Sequence, residues 1–151
     1  MNQLKQKLQS DLNDAIKSRN TVVAETVRML LAAITNEEVA GKEKKELSDA
    51  EVITVLTREA KKRREAAEAF EQGGRADKAA AERAEGEVIA TYLPEQLSEA
   101  ELNQLITETI AAVGASGPSD MGKVMGALKA KVAGKADGAT VSNLVKAALA
   151  K

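Results

Sequence analysis

Apolar residues recur at helical spacing along nearly the whole chain, and no run alternates apolar and polar residues long enough to specify a half-buried strand. A chain with that single period satisfies its backbone by winding into helices and must then bury one stripe of each. Composition points the same way. Aromatic residues make up 1% of the chain, Phe70 and Tyr92 only, and the apolar content is mostly Ala, Leu and Val. Helix formers abound and strand-filling residues are sparse, so the expected fold class is all-α.

Leu4, Leu8, Leu12, Ala15 and Ile16 define an amphipathic first helix that ends near Ser18 to Asn20. Thr21 is the expected cap of a second helix, with Val23, Val27, Leu30, Leu31 and Ile34 on its buried side. That helix is expected to stop between Val39 and Gly41, where the glycine suits a C-terminal cap. Residues 41–46 are charged and read as an exposed, mobile connection. Ser48 and Glu51 have the spacing of a capping box and open a long third helix through Val52, Val55, Leu56, Ala60, Ala67 and Phe70. Its middle is crowded by Arg58, Lys61, Lys62, Arg63 and Arg64, with Glu59, Glu65, Glu68 and Glu71 nearby. Glu59–Arg63 is an i,i+4 pair in the favourable order, and Lys61–Glu65 and Arg64–Glu68 are pairs in the reverse order. A solvent-exposed helix laced by such pairs explains the pattern; an RNA-binding stripe is the alternative. Gly73-Gly74 ends it, and an alanine-rich fourth helix folds back as an antiparallel hairpin and stops before Pro94.

A second capping box, Ser98 with Glu101, opens a fifth helix carrying Leu102, Leu105, Ile106, Ile110 and Val113 and closed by Gly114. The last stretch, 119–151, reads as two short helices joined by a turn. Met121, Val124, Met125, Leu128 and Val132 form the stripe of the first. Gly122 and Gly126 share one side of it at a cost of about 1 kcal/mol each relative to alanine, so something is expected to approach the backbone there, a packed helix or a ligand. Gly134 is placed to end that helix in the left-handed conformation and Asp137 to cap the next. The expected organisation is a four-helix domain over 1–94 followed by a small three-helix domain over 95–151.

The chain contains no cysteine and no histidine, which rules out disulfides, thiol or imidazole catalysis and the usual zinc and iron–sulfur ligand sets. No metal or cofactor site is expected. The amino terminus has scattered charges and no apolar core of the signal-peptide kind, and no stretch approaches the roughly 20 apolar residues of a membrane span. A cytoplasmic location with no membrane partner is therefore the expectation. No Walker-type or dinucleotide-binding glycine motif is present, Ser48 and Ser98 act as caps, and no carboxylate is singled out by spacing. The residues for free-standing catalysis are not assembled, and no catalytic residue is assigned.

Net charge is −1, unevenly spread. From Ser119 onward six lysines face Asp120 and Asp137, giving +4, so the remainder carries −1 − 4 = −5. A basic end on an acidic body suits an anionic partner, although a solvated lysine face would look the same. Lys123, Lys129, Lys131 and Lys135 could meet phosphate, and the start of the last helix, near Asp137 to Thr140, offers backbone donors. Near absence of aromatics argues against stacking on single-stranded bases and for shape recognition of a folded RNA. The other reading is a helical protein-interaction module in which Met121 and Met125 make adaptable apolar contacts.

Several stretches taken together resemble the YqeY family. They are Val27-Arg-Met-Leu30, Ala33-Ile-Thr-Asn-Glu37, Arg58-Glu-Ala-Lys-Lys-Arg63, Phe70 to Gly74 and Glu87 to Pro94 with Gln96-Leu-Ser98. In the C-terminal half they are Asp120-Met-Gly-Lys-Val-Met-Gly126 and Gly134-Lys-Ala-Asp-Gly138. The resemblance implies two helical domains, the second similar to the tail of the GatB subunit of tRNA-dependent amidotransferases, which is associated with gripping tRNA. It implies tRNA contact at Lys123, Gly126, Lys129, Lys131, Lys135 and Gly138, and a family link to carbon–nitrogen ligation with glutamine as amide donor. The kinase-like core and the amidase apparatus for that chemistry have no counterpart in this sequence.

Overall fold

The computed structural model describes residues 2–150. Every regular element among them is helical, and the chain divides into two compact units, Met1–Leu93 and Pro94–Lys151. Each has its own apolar core.

The first unit contains α1 (Gln3–Lys17), α2 (Thr21–Glu38), α3 (Asp49–Gln72) and α4 (Ala76–Ala90). Leu8, Val27, Leu30, Ile34, Leu56 and Ile89 are fully enclosed in its core, each such burial contributing about 1.5–3 kcal/mol. Helical periodicity decides which apolar residues go in, but Ile16, counted with the apolar stripe of α1, is 47% exposed while its neighbour Ala15 is buried. The reason is positional. Ile16 lies in the last turn of α1, just before Arg19 takes a left-handed backbone (φ 59°) and the chain turns away into α2.

Two expected caps are displaced. Asn20, one residue before Thr21, caps α2 by accepting from the Val23 N–H, and Thr21 is the first helical residue. Gly41 is not left-handed; α2 ends at Glu38, whose carbonyl accepts from the Lys45 N–H at 2.8 Å. Residues 40–46 are exposed, as expected, but the segment is tied at both ends. The Glu38 carboxylate is almost fully buried and accepts from Lys5 Nζ at 2.7 Å and from the Leu47 N–H at 3.3 Å. Asn2 donates to the Leu47 carbonyl, and the Leu4 N–H donates to Asp49 at 3.1 Å. The starts of α1 and α3 and the end of α2 thus meet at one carboxylate.

Both capping boxes form, at Ser48 with Glu51 and at Ser98 with Glu101. α3 and α4 pack along each other across a turn in which Gly74 is left-handed (φ 75°) and the Arg75 N–H donates back to Phe70. Buried Ala67 and Ala79 keep the two helices close. α4 ends in a tightened turn, with Thr91, Tyr92 and Leu93 N–H groups donating three residues back, before Pro94 prevents continuation.

The second unit contains α5 (Glu99–Val113), a 3₁₀ turn (Pro118–Asp120), α6 (Met121–Val132) and α7 (Gly138–Leu149). Leu102, Ile106, Val124, Leu128, Val141 and Val145 fill its core. Gly114 and Gly134 are left-handed (φ 69° and 71°), so both predicted helix ends form as expected. No helix among the described residues is long and apolar enough to cross a membrane.

Candidate nucleic-acid interface

α6 turns Val124, Leu128 and Val132 inward, and Met121 and Met125 pack against the same core. Helical geometry then dictates the opposite face. Gly122, Gly126 and Ala130 are exposed there, and Lys123 and Lys129 lie on either side of Gly126, each about 60° around the axis from it. Lys131 lies about 80° beyond Lys123, so the lysines fan around the helix instead of forming one line. The structure therefore groups Lys123, Gly126 and Lys129 on the outer face and sets Lys131 to one flank.

The glycines correct the sequence reading. A Cβ added at Gly122 or Gly126 would meet nothing within 4 Å, so no neighbouring helix requires them to be small. Their effect is to leave the backbone of α6 uncovered on its solvent side. Gly138 is also exposed, with open space where a Cβ would stand. The start of α7 is less available than expected. The Asp137 carboxylate accepts from the Thr140 N–H at 2.9 Å and from its hydroxyl at 3.1 Å, so a cap already occupies those donors.

The turn that presents Lys135 is held by two bonds that local periodicity does not announce. The Leu97 N–H donates to the Lys135 carbonyl at 2.9 Å, and Gln96 Nε2 donates to the Gly134 carbonyl at 2.6 Å. Lys135 is thereby fixed at its backbone while its side chain stays exposed. Gln96 belongs to the segment before α5, and nothing in its spacing marks it as a partner of residue 134. Only the fold brings them together.

Charge within this unit is segregated. Residues 94–151 carry six lysines and six carboxylate residues, 6 − 6 = 0, yet three of the acids lie on α5 and all lysines lie from α6 onward. Lys123, Lys129, Lys131 and Lys135 are all exposed and form no ion pair among the described residues. The Asp120 carboxyl is held below the usual range first by the Ser116 N–H and, among charges, by Lys123. Lys129 and Lys131 also sit in the last turn of α6, where cations complement the helix dipole.

The basic stretch of α3 has a different fate. Glu59 and Arg63 are largely withdrawn from solvent and paired, whereas Arg58, Lys62, Arg64, Glu65 and Glu68 stay exposed, with Lys61 and Glu65 forming the expected i,i+4 pair at 3.9 Å. No group of three or more acidic side chains among the described residues is arranged to hold a metal ion.

A sequence model of the family described as Yqey-like protein matches residues 5–149. The chain is also 35% identical over 92 residues to an uncharacterised protein of Schizosaccharomyces pombe, a match that covers 60% of this chain and 72% of that one.

Proposed function

The chain belongs to the YqeY-like family, and on that premise we propose that it is a non-catalytic accessory protein that binds tRNA or another structured RNA. In this reading residues 1–94 form the family's N-terminal helical domain and 95–151 a domain similar to the GatB tail. Any relation to amide transfer onto tRNA comes through that shared tail, with the chemistry supplied elsewhere. The contact face is α6 and the turn after it, with Lys123, Lys129, Lys131 and Lys135 meeting phosphates and Gly126 and Gly138 allowing close backbone approach.

One observation carries the proposal. The lysines of α6 and its turn are exposed and make no ion pair among the described residues, around a helix face whose glycines have no packing role. Unpaired cations beside an uncovered backbone suit a ribose–phosphate surface, which is read by charge and shape. The alternative, a protein-docking module built on Met121 and Met125, is weakened because both methionines pack inward.

A salt titration of binding to total tRNA tests it, with the wild-type chain and the variant Lys123→Ala/Lys131→Ala/Lys135→Ala. Binding should weaken steeply with salt, and the triple variant should lose roughly one unit of log–log slope per phosphate contact removed. Absence of binding at low salt would sink the RNA reading.

A further inference from the structure

We propose that Arg63 is an electrostatic latch that holds the α3–α4 hairpin closed, a positioning residue standing between carboxylates of both helices. Its guanidinium lies 3.4 Å from Glu59 on its own helix. From α4 it is met by Glu85 at 3.0 Å and Glu82 at 3.7 Å. From α2 it meets only the uncharged Met29 sulfur. The Arg63 side chain is 15% exposed and Glu59 12%, so charge acts here with less screening than at the surface.

Three carboxylates around one guanidinium repel one another, and Arg63 is the cation common to all three. Lys62 reaches Glu59 at 3.3 Å, but it is 65% exposed and its ion pair is with Glu59, leaving the α4 carboxylates to Arg63. Arg63 Nε and Glu82 Oε2 are both buried without a hydrogen-bond partner, so attraction between charges is what relates these two atoms. Gly86, the residue after Glu85, lies beside Arg63: a Cβ there would stand in ordinary contact, 3.9 Å from Arg63 Cβ. A cation of fixed charge between the two helices of the hairpin, ringed by acids from both, is the arrangement of a latch.

The test is amide hydrogen exchange over residues 76–90 in the full chain, supported by circular dichroism. Arg63→Gln should raise exchange there by about tenfold, because Glu59, Glu82 and Glu85 then face each other with no common cation. Arg63→Gln/Glu82→Gln/Glu85→Gln should recover most of that protection, since the repulsion is gone although the arginine is still missing. If Arg63→Gln fails to fold while the triple variant folds, the latch is supported. Exchange unchanged in Arg63→Gln, or a triple variant no better protected or folded than the single one, overturns it.

Discussion

The two units of this protein treat their charges in opposite ways. In the first, more than half of the cations are engaged by acids, including Lys5 with Glu38, Arg58 with Glu37, Arg83 with Glu71 and Arg63 with three carboxylates. In the second, Lys123, Lys129, Lys131 and Lys135 form no ion pair among the described residues, although acids and lysines are equal in number. The cause lies in placement along the chain. Acids and bases of the first unit are interleaved on the same and neighbouring helices, whereas those of the second are separated onto different ones. Interleaving directs charge toward the fold; separation leaves it for solvent or a partner. A lysine can therefore serve the fold in one region and stay turned to solvent in another.

The sharpest way to break this comparison is Glu38→Ala. Removing that carboxylate leaves Lys5 without its partner and the Leu47 N–H without an acceptor, and urea unfolding should show a loss of about 2 kcal/mol. A loss no greater than that of a surface charge would show that the first unit's pairs are as dispensable as the second unit's lysines.

Next comes the pH dependence of the same group. Hydrogen bonding from Lys5, opposed by burial and aided by the Leu47 N–H and neighbouring lysine charge, holds the Glu38 carboxyl below its ordinary value. A depressed folded-state pKa contributes stability that is present above the unfolded value. That contribution is lost as pH falls through the folded value, so it fades in a window below about pH 4.3. Wild-type stability relative to Glu38→Gln should be constant near neutrality and shrink in acid. A difference that stays flat down to pH 2 would remove the electrostatic account.

The capping boxes serve as a control, because they are built alike in both units. Ser48→Ala and Ser98→Ala should each cost about 1 kcal/mol, measured by denaturant unfolding. Gly126→Ala should act in the other direction. With nothing within 4 Å of the new Cβ it should stabilise α6 by roughly 0.5–1 kcal/mol while weakening RNA binding, a split that a purely structural glycine would not produce. The smallest effect belongs to Lys123→Ala, whose stability should stay within about 0.5 kcal/mol of wild type.

Much of this was legible in the sequence because it is local. The period of the apolar residues determines an all-helical chain, and hydrogen bonds within three residues determine the two capping boxes, while the left-handed ends at Gly114 and Gly134 follow from the freedom of a residue without a Cβ. Cap positions slipped by a residue at Asn20 because Asn and Thr compete for the same donor and only the path of the preceding turn decides between them. Tertiary structure decided what depends on residues distant in sequence. It buried Glu38 beneath a segment that reads as free charge, joined Gln96 to Gly134, drew Glu82 and Glu85 around Arg63, and left Gly122 and Gly126 facing open space. A periodic pattern specifies which side of a helix is apolar, but what stands opposite a particular charge or glycine is settled only when helices far apart in the chain pack together.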